Sequence, residues 1–225
     1  CVPLMWRDIV HDALTNILFV LFLFGIAILA VSLFFYYRML QQRTFIDIAR
    51  SLGFRYYFRS YAMPRRFDFL SLHRRGRGRH ASNIFLGRHA GSETVVFDYM
   101  FNRGLSTGKK WYYGSFSVMY HGRNCPSVRI FPKNMLPMLG AVVGYSEIAL
   151  DGHPLSKHFS VYTTNTAFAR SLLREPLVNY LSHHPGQSLE IDPLWFALGS
   201  RNNLEPEDLP NRLKQLEIVR TLLSL

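Results

Sequence analysis

Residues 13–37 contain no Asp, Glu, Lys, Arg or His, and this 25-residue apolar stretch limits what the chain can become more than any other feature. A helix rising about 1.5 Å per residue covers roughly 37 Å over that length, enough to cross a hydrocarbon core of about 30 Å. Only Thr15, Asn16 and Ser32 dilute its apolar character. The stretch therefore predicts a transmembrane helix. A cleaved secretory signal fits poorly: its apolar core runs about 7–15 residues, with a basic leader before it and a small-residue cleavage site behind. A core helix of a soluble domain would be shorter and carry a polar stripe. Gly25, Ala27 and Ala30 offer a small-residue surface but no GxxxG pair.

Charge sets the expected orientation. Residues 1–12 carry Arg7, Asp8 and Asp12, whereas Arg38, Arg43, Arg50, Arg55 and Arg59 follow the span. The positive-inside rule then places residues 1–12 outside and everything after the span in the cytoplasm of a bacterial inner membrane, with Trp6, Tyr36 and Tyr37 suited to the headgroup layers. In that topology Cys1 and Cys125 lie on opposite sides and form no intrachain disulfide, and Cys125 reads as a reduced thiol in a turn. An acyl anchor at Cys1 fits poorly with a span so close behind it.

The net charge of +11 is concentrated. Residues 38–89 hold twelve Arg against Asp47 and Asp68, while residues 90–225 hold thirteen Lys or Arg against eleven acids. The densest part is His73-Arg74-Arg75-Gly76-Arg77-Gly78-Arg79-His80, a pattern that suits neither a regular helix nor a central strand. Three readings stay open for it. It is a solvated loop that satisfies the positive-inside rule, a surface for anionic phospholipids, or a docking surface for an acidic protein. The last is favoured by 21 Arg against 5 Lys, since a planar guanidinium pairs bidentately with carboxylates. Arg65, Arg66, Arg74, Arg75, Arg77, Arg79 and Arg88 are the expected partner or lipid contacts. Nucleic acid is disfavoured, because the Arg-Gly run is short, stands alone and follows the span closely.

Beyond the span the pattern is that of an α+β domain. Residues 42–52 read as a short amphipathic helix stopped by Gly53, and Phe54-Arg55-Tyr56-Tyr57-Phe58 as a strand. Residues 38–80 form a basic juxtamembrane segment on this reading, and residues 81–225 the cytoplasmic domain. Strands are expected at 82–86, 94–101 and 111–120, joined as hairpins, then at 127–131, 158–163 and 189–191, with 195–198 closing a mainly antiparallel sheet. A short helix is expected near 134–143. Thr164 and Asn165 are N-cap candidates, Pro176 breaks or restarts that helix, and a last helix from Pro206 carries Leu209, Leu213, Leu216 and Leu223 on one face.

Phe67-Asp68-Phe69-Leu70-Ser71-Leu72, then residues 80–87, Val96-Phe97-Asp98-Tyr99, the loop at 104–110, residues 168–173 and Leu189-Glu190-Ile191 carry a resemblance to an uncharacterised family of bacterial single-pass membrane-anchored proteins. The resemblance implies one N-terminal helix and a cytoplasmic α+β domain of unknown function, and transfers no activity. The Arg-Gly run and the His183-His184 pair are more elaborate here than in that family.

The sequence carries no recognisable catalytic, cofactor or metal motif. Residues 104–110 fall one residue short of P-loop spacing, and Lys109 is followed by Lys110 rather than Ser or Thr. None of the nine His forms a helical i, i+4 pair or neighbours a cysteine in a zinc pattern, and His183-His184 suits a helix C-cap. Asp68, Asp98, Glu190 and Asp192 suggest no acid–base pair, and Asp98 is expected to pair with an Arg of the sheet. The resulting expectation is a non-enzymatic accessory or scaffolding subunit of an integral membrane complex. A respiratory or photosynthetic complex is a natural host that no residue selects. An anionic-lipid-binding surface module and a membrane-tethered enzyme are the alternatives.

Overall fold

The computed structural model describes residues 4–74, 76–104, 108, 110–139, 142 and 144–224. They fall into two units, residues 1–44 and 45–225. Helix α1 (Leu4–Ser51) is continuous, so the amphipathic stretch at 42–52 continues from the apolar one as a single element rather than bending away from it. Residues 16–40 of α1 are exposed throughout, and among the described residues this is the one helix long and apolar enough to cross a membrane. The helix stops where Gly53 takes φ +73° and the Phe54 N–H donates to Ala49 O at 2.8 Å.

The second unit starts at Phe45 and is built on β1 (Arg55–Ser60), α2 (Met63–Arg66), β2 (Arg77–His89), β3 (Ser92–Arg103), β4 (Lys110–Tyr120) and β5 (Val128–Pro132). It continues through α3 (Leu136–Leu139), β6 (Ser146–Ile148), β7 (Phe159–Thr163), α4 (Thr166–Leu172), α5 (Glu175–His183), β8 (Gln187–Ile191), β9 (Trp195–Ser200) and α6 (Leu209–Leu223). The strands form one antiparallel sheet in the order β1-β2-β3-β4-β9-β8-β5-β7-β6. The fold is thus α+β with a large antiparallel sheet, one long apolar N-terminal helix and C-terminal helices. β1 and the segment after it, read from sequence as juxtamembrane, belong to this sheet and its core. β9 does not close the sheet: it lies at its centre, between β4 and β8.

Period-2 alternation sorts side chains between two cores. On β3, Val95, Phe97 and Tyr99 enter one core with Phe67, Phe69, Leu70 and Leu72, while Val96 enters the other. That second core takes Leu177 and Leu181 of α5, and Leu209, Leu213, Leu216, Val219 and Leu223 of α6. Burying each of these side chains contributes about 1.5–3 kcal/mol. Phe45 and Ala49, at the end of α1, join the same core, with Phe45 stacked on Tyr56 at 5.9 Å.

Caps follow the sequence closely. Asn165 Oδ1 accepts the Phe168 N–H at 2.9 Å and opens α4, and Pro176 sits in the first turn of α5. His183 and His184 close α5, each Nδ1 lying 2.7 Å from the carbonyl four residues back.

Candidate functional site

Alternating glycine and arginine builds one wall of a basic concavity. Gly76 (φ +73°) and Gly78 (φ +62°) hold left-handed backbone against the end of β3, where a Cβ on Gly76 would lie 2.5 Å from Asn102 O and one on Gly78 2.6 Å from Asn102 Nδ2. The glycines permit this approach, and Arg77 and Arg79 remain exposed. The run therefore enters β2 at Arg77, through a register shift that ends at His80, rather than remaining a loop as expected. β1 pairs with β2 only from Ala81 onward, so the irregular stretch is an edge on that side.

Tyr61, Pro64, Arg65 and Asp68 supply the opposite wall of a cleft of about 670 Å³ lined also by Gly76, Arg77, Gly78 and Arg79. Three arginines and one acid line it. The cleft offers planar forks for phosphate or carboxylate oxygens beside a tyrosine that is 65% exposed.

Of the seven arginines nominated from sequence, Arg65, Arg77 and Arg79 meet here. Arg66 does not: it pairs with Glu93 and lies over the rings of Phe67 and Trp195, at 5.4 and 5.8 Å. Arg88 is at the far end of β2 and donates to Gly91 O at 2.6 Å. The Arg74 side chain and the whole of Arg75 lie outside the described residues.

The wall carrying Asp68 is pinned by a buried charge cluster that sequence reading missed. Arg129 is 1% exposed; its Nη2 donates to Phe69 O (3.1 Å) and Tyr145 Oη (2.9 Å), its Nη1 donates to Ile191 O, and its Nε lies 3.2 Å from Glu190 Oε2. Glu190 in turn accepts from Ser71 N at 2.9 Å and Ser71 Oγ at 2.8 Å. Burial pushes the Glu190 carboxyl up, against the lowering pull of Arg129 and Ser71. The signal was present in the strands: Arg129 and Glu190 are charges lodged inside apolar runs, Val128-Arg129-Ile130-Phe131 and Leu189-Glu190-Ile191.

The remaining acids separate. Asp192 approaches Arg129 Nη2 at 3.4 Å, whereas Asp98 accepts from Asn83 Nδ2 (2.8 Å) and Leu204 N (2.7 Å). Its favourable cation is Arg212 of α6, not an arginine of the sheet as expected, and burial raises its carboxyl to about 6. The fold also brings His121 beside Cys125, which lacks a histidine neighbour in sequence. Cys125 Sγ is 4.0 Å from His121 Nε2, and that nitrogen donates to Asp192 O at 3.0 Å while Nδ1 accepts from Arg123 N at 3.2 Å. Burial pushes the thiol up and the imidazole down, opposite to the tuning of an activated cysteine.

Fold and site together define a class, an α+β domain on a broad antiparallel sheet, headed by a long apolar helix. This architecture is similar to the crystal structure of the mycobacterial trehalose monomycolate transport factor A, TtfA, with a TM-score of 0.60 and 18% sequence identity, covering 80% of this chain and 93% of that one. At that identity the likeness establishes the fold alone. No family model matches the chain, and no curated protein does.

Proposed function

We propose that this chain is a non-enzymatic accessory factor of an integral membrane transport system. α1 anchors it in a bacterial inner membrane, the α+β domain lies on the cytoplasmic side, and the cleft of Arg65, Arg77 and Arg79 docks on an acidic surface of the host. The supporting observation is the joint one of an exposed apolar helix and an arginine cleft in the same chain. An apolar surface as long as residues 16–40 requires lipid or partner helices to cover it. The structural neighbour's description as a transport factor supports the choice of host.

Purification in mild detergent from native membranes tests the proposal. Transport subunits in fixed stoichiometry are expected, and their recovery should fall in an Arg65→Gln/Arg77→Gln variant but not in Arg88→Gln. Recovery of the monomer alone would overturn the reading. Orientation is read with an impermeant thiol reagent on a Cys1→Ser/Cys125→Ser/Asp151→Cys chain, which should label only after the cells are opened.

A second reading is favoured by the exposed Tyr57, Phe58 and Tyr61, which mix with Arg55 and Arg59 beside the cleft. On this reading the same surface binds anionic phospholipid at about 1 kcal/mol per arginine. Its mark is vesicle association that disappears at high ionic strength.

A further inference from the structure

A second cleft, on the helical side of the second unit, has different chemistry. It holds about 430 Å³ between the end of α5, the loop after β9 and α6, and its lining includes Arg201, Asn202, Asp208, Asn211, Arg212 and Gln215. That volume falls in the range of small-molecule sites. No Phe, Tyr or Trp lines it, which argues against an acyl chain or an aromatic ligand. Its amides each carry both donors and acceptors, the pairing that hydroxyl groups require.

Arg212 gives the cleft its point of attachment. Its guanidinium is largely buried and its pKa is lowered by that burial, with Asp208 and Asp98 acting on it through space. Among the described residues neither acid forms an ion pair with it, and no hydrogen bond reaches its side chain. Its nitrogens are not sealed in the core, so its five donors are open to the cleft. Arg201 adds a second guanidinium, its Nη1 held by Asn134 O at 3.3 Å. Gln215 is also oriented: its Oε1 accepts from Gln187 Nε2 at 3.0 Å, which leaves its own Nε2 for the cleft. The two guanidinium groups outnumber the one carboxylate of the lining, Asp208. They suit a phosphate monoester, which carries about −1.5 to −2 at neutral pH.

We infer that this cleft binds a sugar phosphate, with Arg212 and Arg201 on the phosphate and the amides of Asn202, Asn211 and Gln215 on the hydroxyls. The site is separate from the arginine cleft used for docking.

Calorimetric titration of the full chain in detergent micelles tests the assignment, with glucose 6-phosphate, glucose 1-phosphate and glycerol 3-phosphate as probes, and glucose and inorganic phosphate as controls. At least one phosphorylated probe should bind saturably, and glucose and inorganic phosphate should bind about tenfold more weakly or not at all. Arg212→Gln should weaken binding about tenfold. Asn211→Asp, at an exposed position of α6 where folding is undisturbed, should do the same through repulsion of the phosphate. Arg65→Gln should change nothing. Failure of all three probes, equal affinity for inorganic phosphate, or loss in Arg65→Gln with retention in Arg212→Gln and Asn211→Asp would overturn the inference.

Discussion

Arg129 and Glu190 are register partners across β5 and β8, each 1% exposed, and together they tie the backbone at Phe69 and Ser71 to the sheet. Removing one member of a buried pair leaves the other charge uncompensated, at about 3–5 kcal/mol. Arg129→Met should therefore lower the unfolding midpoint strongly. Glu190→Gln keeps an acceptor for Ser71, and the double variant should be less destabilised than the two single costs added. Additive costs in denaturant titrations would show that the two residues act independently.

Asp98 predicts an unusual pH profile. Its carboxyl moves from 3.8 to about 6 on folding, so between these values the folded chain holds a proton that the unfolded chain releases. Stability from this group is then greatest below about pH 4 and declines as pH rises to 6, by about 3 kcal/mol at most. Asp98→Asn should flatten that decline and raise stability at pH 7, with the Asn83 amide reversing to accept from the new side chain. An unchanged slope in thermal melts from pH 4 to 7 would exclude Asp98 as its source.

Gly76 and Gly91 both hold positive φ, at 73° and 79°, but in different surroundings. Alanine at Gly91 meets open space and should cost only the left-handed backbone penalty of about 1–2 kcal/mol. Alanine at Gly76 also collides with Phe101 and Asn102 O, which adds an overpacking cost of about 1–3 kcal/mol. Comparing the two variants by urea titration separates the conformational from the steric part.

Cys125 should alkylate more slowly than a free thiol at pH 7.5, because burial raises its pKa and the residue is only partly exposed. His121→Ala should not slow it further. A drop in rate on that substitution would mean that the imidazole activates the thiol after all.

Much of this architecture can be read from local pattern. Alternating residues on β2, β3 and β4 mark the hairpins, Asn165 marks the start of α4, and uninterrupted apolar residues mark α1. What is not local was missed. The placement of β9 between β4 and β8 depends on which edges remain open after the hairpins form, and Trp195-Phe196-Ala197-Leu198 does not encode that. β6, only Ser146–Ile148, is too short to announce itself. For the arginine cleft, composition located the right segment, but the left-handed glycines and the capture of Arg66 by Glu93 decide which arginines share it. The Arg212 cleft gathers residues from the turn after α5, from α6 and from the loop after β9, so no single window of sequence contains it.

The placement of β9 also governs how the chain is made. β4 ends at Tyr120 and its neighbour begins at Trp195, so during synthesis the ribosome delivers the whole intervening stretch before that edge of the sheet is covered. At about 5–20 residues per second the nascent meander waits several seconds with the backbone N–H and C=O groups of one strand edge unpaired. Slowing elongation between these strands should therefore increase the demand for chaperones more than slowing it elsewhere in the gene.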